Sequence, residues 1–175
     1  FLNYETLAQG FESQFQEEFQ LNGYHPDLAR KLLKAAGYQD GINFPEVELL
    51  IPSREDIKLQ AETLQAMWSK ELNINIKINA MEWKVFLDTL KKNPPHLFRS
   101  SWGADYPDPD SFMQLFISTN AFNEGRFFNS EYDALIKQAA RLQDLETRRR
   151  LYTRAEQILS LEEAAIIPLY IDKQT

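Results

Sequence analysis

The chain has 175 residues, enough for a domain with a real core, and its 43% hydrophobic and 13% aromatic content is that of a globular protein. A net charge of −7 argues against nucleic acid as a partner, because affinity for phosphate draws on Lys and Arg. The absence of cysteine removes disulfides, thiolate metal sites and cysteine nucleophiles together, and no stretch approaches the roughly 20 apolar residues of a membrane span.

Residues 1–23, rich in Gln, Glu and Phe, have no clear period and read as an irregular flanking segment. His25-Pro26-Asp27 starts a helix with Leu28, Leu32, Leu33 and Ala36 on one face, and Gly37 stops it. A turn at Asp40-Gly41 leads to a strand from Val47 to Ile51, closed by Pro52. Glu55 to Leu72 is the longest helical pattern, with Ile57, Ala61, Leu64 and Trp68 recurring on one face. From Asn73 to Asn79 the chain alternates Ile74, Ile76 and Ile78 with Asn and Lys, the pattern of a half-buried strand. Trp83, Phe86, Leu87 and Leu90 form a short helical stripe, broken by Pro94-Pro95, and Leu97 to Trp102 reads as a further strand.

Asp108 reads as a helix N-cap and Pro109 as the first helical residue. Ser130-Glu131-Tyr132-Asp133 has the spacing of a capping box and opens a helix with Tyr132, Leu135, Ile136 and Ala139 inward. Asp144 caps a last helix carrying Leu151, Tyr152, Ala155, Ile158 and Leu159, and Ile166 to Ile171 is a final strand. The alternation of helices and strands predicts an α/β fold whose sheet, mixed or mainly parallel, is flanked by helices. The chain opens at Phe1 without Met and stops soon after an apolar run, so both ends read as cuts through a longer protein.

The most informative stretch is Trp102-Gly103-Ala104-Asp105. It sets an aromatic face, a bare backbone and one carboxylate within four residues, a combination suited to gripping a small cationic group. A strand end that simply packs a tryptophan is the competing explanation. Ligands of open α/β sheets sit beyond the carboxyl ends of strands, and this segment lies at such an end. Trp83 and Trp102 could together line a binding surface. Arg99 could meet a ligand carboxylate, although pattern alone favours a surface arginine.

Catalytic options are thin. His25 and His96 belong to no metal-ligand spacing and read as surface residues. There is no nucleophile elbow and no glycine-rich phosphate loop. Asp105, Asp108 and Asp110 do not follow the alternate spacing of a calcium loop, and the prolines between them stiffen the segment, so no metal and no cofactor is expected.

Several motifs, taken in order, carry a resemblance. They are Lys-Leu-Leu-Lys-Ala-Ala-Gly-Tyr at 31–38, Asn-Ile-Asn-Ile-Lys-Ile after a long helix ending Glu-Leu, and Glu-Trp-Lys-Val-Phe-Leu-Asp at 82–88. Trp-Gly-Ala-Asp-Tyr-Pro-Asp-Pro, Tyr-Asp-Ala-Leu-Ile and Ile-Pro-Leu-Tyr follow. From about Tyr24 to Tyr170 the chain resembles the C-terminal lobe of bacterial extracellular solute-binding proteins of the oligopeptide- and dipeptide-binding type, the receptors of ABC importers. The resemblance implies one lobe of a two-lobed, periplasmic-binding-protein-like fold. Residues 24–171 would form the ligand-binding lobe and 172–175 would continue toward an N-terminal lobe absent from this chain.

The resemblance also implies roles. Asp105 would pair with a peptide α-amino group, Trp83 and Trp102 would line the cleft, Gly103 would run beside the peptide backbone, and Arg99 would meet a ligand carboxylate. A histidine that some relatives use for longer peptides falls near Ile57 and is absent. The implied partners are an oligopeptide and membrane permease subunits, and the implied location is periplasmic or extracellular, with or without a lipid anchor.

The reading is therefore a peptide-binding component of an importer and not an enzyme. Rivals are the same fold binding a murein peptide, a signalling peptide or a metal chelate, and a sensor lobe of a transcription regulator. A carboxylate-dependent enzyme using Asp105, Asp108 and Asp110 is the third.

Overall fold

A computed structural model describes residues 24–169. The flanking segment 1–23, the end of the expected last strand and residues 172–175 lie outside the described residues. The chain divides between Ser101 and Trp102 into two compact units.

The first unit begins with α1 (Pro26–Ala35) and a 3₁₀ turn (Gln39–Gly41), followed by β1 (Val47–Pro52), α2 (Glu55–Leu72) and β2 (Ile76–Met81). It ends with α3 (Trp83–Lys92) and β3 (Leu97–Phe98). The strands form one parallel sheet in the order β2-β1-β3, with Val47 opposite Ile76 and Leu50 opposite Phe98. Parallel neighbours require crossovers, and α2 and α3 supply them.

The central strand β1 is apolar at every position from Leu49 to Ile51 because both of its faces are covered. Leu49 and Ile51 join Ala61 of α2, Ile74 and Ile76 on one face, with Leu33 of α1 and Trp68 packed against them. Leu50 points the other way, onto Phe86 and Leu90 of α3. The alternation along three residues thus sorts the helices into two layers.

Three expectations shift. On α1 only Leu33 reaches this core, while Leu28 and Leu32 are exposed. The strand expected from Asn73 starts at Ile76, because Asn73 takes a left-handed conformation (φ 53°) as the C-cap of α2. The strand expected from Leu97 to Trp102 pairs only over Leu97–Phe98, with one further bond from the Arg99 N–H to the Leu50 carbonyl at 2.9 Å.

The second unit is helical. It holds α4 (Asp110–Met113), a 3₁₀ turn (Gln114–Phe116), α5 (Ser130–Ala139), α6 (Leu145–Gln157) and a π-helical turn (Ile158–Glu162). Its core is Met113, Tyr132, Ile136, Ala139, Tyr152, Ala155, Ile158 and Leu159. Asp144 caps α6 as expected, accepting from the Thr147 N–H at 2.8 Å. The α5 cap is one residue earlier than the spacing suggested. Asn129 accepts from the Tyr132 N–H, and Asp133 instead accepts from the Ser118 N–H. No strand forms over 166–169, where Pro168 withholds a ladder donor.

Gly41 ties the 3₁₀ turn to the end of α2. Its φ is +73°, and a β-carbon there would stand 2.3 Å from the Asn73 carbonyl oxygen. At Gly37, φ is +92° but a β-carbon would meet nothing within 4 Å. Gly41→Ala is expected to lower stability by about 2–3 kcal/mol and Gly37→Ala by only about 1 kcal/mol, read from urea unfolding midpoints. Equal losses would show that backbone conformation, not the Asn73 contact, governs both.

Glu156 on α6 is half-buried, and its Oε2 has no hydrogen-bond partner among the described residues. Burial pushes its carboxyl up to about 7. Between the ordinary glutamate range and about 7 the folded state therefore holds a proton that the unfolded state has lost, so this group makes stability fall as pH rises through that window. Glu156→Gln is expected to raise the melting temperature at pH 8 and leave it nearly unchanged at pH 4.

Candidate functional site

The expected site residues fall on both units. In the first, Trp83 opens α3 just beyond the end of β2, and Arg99 follows β3. Both lie past carboxyl ends of strands in one parallel sheet, the edge at which such sheets take ligands. Trp83 is 55% exposed and stacked on Phe86, with ring centroids 5.7 Å apart. The Glu82 side chain caps that helix start by accepting from the Lys84 N–H at 2.9 Å. Arg99 is half-buried, and its guanidinium donates to the Ser100 carbonyl.

In the second unit, Trp102, Gly103 and Asp105 lie on one exposed, non-helical segment leading into α4. Trp102 is thus not a strand residue. Its ring is 38% exposed and tilts against Phe122, with centroids 5.0 Å apart at 60°. Gly103 has open space where a β-carbon would stand and no left-handed φ, so neither conformation nor internal packing demands a glycine. The Asp105 carboxylate is exposed and has no hydrogen-bond or ion-pair partner among the described residues. Its backbone is fixed: the Asp105 N–H donates at 2.8 Å to Ser111 Oγ, a fully buried hydroxyl.

The other two aspartates are used internally. The helix starts at Asp110, one residue later than expected, with Asp108 Oδ1 accepting from the Asp110 N–H at 2.9 Å. Asp108 also takes a two-pronged grip from Arg148 of α6, Nη1 to Oδ2 and Nη2 to Oδ1, both at 2.8 Å. Arg148 Nε donates to the Ala139 carbonyl, so one guanidinium joins α4, α5 and α6. Tyr152 Oη donates to Asp110 Oδ1 at 3.2 Å and Tyr106 Oη to Oδ2 at 2.9 Å. Burial, then the Asp110 charge, pushes Tyr106 up to about 12, and burial pushes Tyr152 to about 12, so both phenols stay protonated donors.

Sequence reading missed Arg148, which sits in a run of three arginines 40 residues from its partner. Its one local signal is the four-residue spacing to the core residue Tyr152, whose hydroxyl it also reaches at 3.2 Å. Among the described residues no cluster of three or more potential ligand side chains could hold a metal.

Residues 3–124 match the family described as bacterial extracellular solute-binding proteins, family 5 (middle region). The chain belongs to this family. The match includes most of the opening segment, which motifs alone left unassigned. The chain is 36% identical over 161 residues to the periplasmic murein peptide-binding protein MppA of Escherichia coli, covering 91% of this chain and 28% of that protein. It is equally 36% identical, over 143 residues, to the probable deoxycholate-binding periplasmic protein YgiS of the same organism, covering 82% and 26%. A crystal structure of a periplasmic oligopeptide-binding protein from Borrelia burgdorferi superposes with a TM-score of 0.75 at 29% identity, covering 81% of this chain and 29% of that one. The chain thus spans about a quarter of the length of the relatives it matches. The α/β fold expected from sequence, with a mixed or mainly parallel sheet flanked by helices, is found with every described strand pair parallel, and its structural neighbours are periplasmic binding proteins of the two-lobed type.

The Asp108–Arg148 pair is mostly buried, the side chains being 27% and 17% exposed. Arg148→Ala leaves a carboxylate without its partner and is expected to cost about 3 kcal/mol. Asp108→Asn keeps a cap for Asp110 and weakens the grip, so it should cost about 1–2 kcal/mol. Denaturant titration checks the order, and the Asp110 and Ser111 amides should exchange with deuterium faster in Arg148→Ala than in Asp108→Asn.

Proposed function

We propose that this chain belongs to the substrate-binding component of a peptide ABC importer and supplies the group that grips the peptide's α-ammonium, Asp105. The observation that carries this is an exposed carboxylate with no partner among the described residues, on a backbone held by the bond from its N–H to Ser111 Oγ. Asp108 and Asp110, by contrast, are each engaged by side chains of α6. Trp102 offers apolar area that accepts many side chains, and the open space above Gly103 leaves room for a peptide backbone. Trp83 and Arg99 are the corresponding candidates on the first unit, Arg99 for a ligand carboxylate.

The chemistry suits a receptor that tolerates many sequences. Every peptide carries one amine and a repeating backbone, so charge is best spent on the amine and hydrogen bonds on the backbone. Similarity to a murein peptide-binding protein and to an oligopeptide-binding protein supports the reading. The relative named for deoxycholate raises a second one, in which the exposed aromatic pair holds a steroid. A bile-acid carboxylate would be repelled by Asp105, which favours the peptide.

As part of the same proposal, residues 24–171 form one lobe of a receptor that is longer than this chain, and the remaining peptide contacts come from the other lobe. The receptor works in the periplasm or outside the cell, delivers peptide to permease subunits in the membrane, and catalyses no reaction.

Asp105→Asn keeps the shape of the side chain and removes its charge. In the full-length receptor, calorimetric titration with a tripeptide is expected to show an affinity loss of about a hundredfold, roughly 3 kcal/mol. N-acetylating the peptide removes the same pair from the other side. The two changes together should therefore cost less than their sum. Additive losses, or unchanged binding by Asp105→Asn, would rule out a direct pair.

A further inference from the structure

Phe122 is 59% exposed, yet its surroundings are built to hold it. Its N–H donates to Asn120 Oδ1 at 2.8 Å, and Asn120 Nδ2 donates to the Gln114 carbonyl at 2.8 Å, tying the loop to the turn after α4. Asn123, next in sequence, donates to the Phe127 carbonyl at 2.7 Å and accepts from the Phe127 N–H at 3.0 Å. These bonds fix the loop on both sides of a large apolar ring left facing solvent. The ring lies against Trp102, itself partly exposed, and the exposed Asp105 carboxylate, without a partner among the described residues, is three residues further along. Three residues span at most about 10 Å.

We propose that Phe122, with Trp102, forms the wall that selects the first side chain of the bound peptide, favouring aromatic or branched aliphatic residues there. The inference rests on the proposed pairing of Asp105 with the peptide's α-ammonium and adds a specificity determinant to that site. The carboxylate fixes the charge of the occupant, and the geometry fixes its neighbour. In a peptide, the first side chain branches from the carbon that bears the ammonium. A group held at Asp105 therefore brings that side chain within reach of whatever lies one residue's breadth away. On this proposal the surface that meets it is the Trp102–Phe122 pair, whose aromatic faces gain from burying apolar area. Phe122 keeps 59% of its surface exposed even while it lies against Trp102, so apolar area remains for a ligand to bury.

The test compares two tripeptides, Phe-Ala-Ala and Ala-Ala-Ala, by calorimetry on the full-length receptor. The wild type is expected to bind Phe-Ala-Ala about tenfold more tightly. Phe122→Ala should bring the two within about twofold of each other, chiefly by weakening Phe-Ala-Ala, with little change in melting temperature. Phe122→Leu should keep most of the preference. The proposal is overturned if the preference survives Phe122→Ala, if both peptides weaken equally, or if the wild type binds both alike. In each of those cases peptide binding at Asp105 still stands. If the wild type binds neither peptide, the pairing itself fails and this inference falls with it.

Discussion

The second unit depends on one guanidinium. Arg148 meets both oxygens of Asp108, the Ala139 carbonyl and the Tyr152 hydroxyl, so α4, α5 and α6 share a single planar group. A lysine could place a charge at this point but could not satisfy two carboxylate oxygens, a carbonyl and a phenol in fixed directions. Because Asp108 is gripped, the chain around it cannot drift. Because Asp110 is held by two tyrosines, the first turn of α4 is fixed as well. Ser111, fully buried in that turn, then fixes the backbone of Asp105. Asp108 and Asp110 are thus spent on structure, whereas the exposed Asp105 carboxylate has no hydrogen-bond or ion-pair partner among the described residues.

That arrangement bears on how an exposed charge can recognise anything. A carboxylate on a wandering loop loses much of its Coulomb gain to the entropy of being ordered. Asp105 is ordered in advance by bonds that do not involve its own carboxyl oxygens. The same holds for Trp83, whose helix start is capped by Glu82 and whose ring rests on Phe86. Both positions combine a held backbone with an exposed side chain.

Much of this was legible in the sequence. The boundaries of α2 are those its periodicity implies, since a stripe of Ile57, Ala61 and Trp68 over about three turns leaves little freedom. β1 was legible from its apolar run and closing proline. What failed did so for local reasons. Apolar residues at 97–102 and 166–169 look like strands, but a strand exists only where a partner offers its backbone, and a single sequence does not name partners. Leu28 and Leu32 have helical spacing, yet α1 reaches the core through Leu33 alone among the residues expected on that face. At the candidate site, Trp102, Gly103 and Asp105 were visible because they are contiguous. Arg148 was not, because its meaning lies in a contact 40 residues away. Phe122 was hidden for the opposite reason, since an exposed phenylalanine in a loop has no period to betray it.

The shortness of β3 has a consequence of its own. Among the described residues the sheet has two margins, β2 and β3, and an unpaired margin is a template on which foreign strands can grow. β3 offers only Leu97 and Phe98, preceded by two prolines, which is too little backbone to seed a ladder. β2 is longer, but it carries an exposed Lys77, and a foreign strand laid beside it would have to accommodate that charge. Among the described residues, the short ladder and the lysine thus make each margin a poor template for a foreign strand.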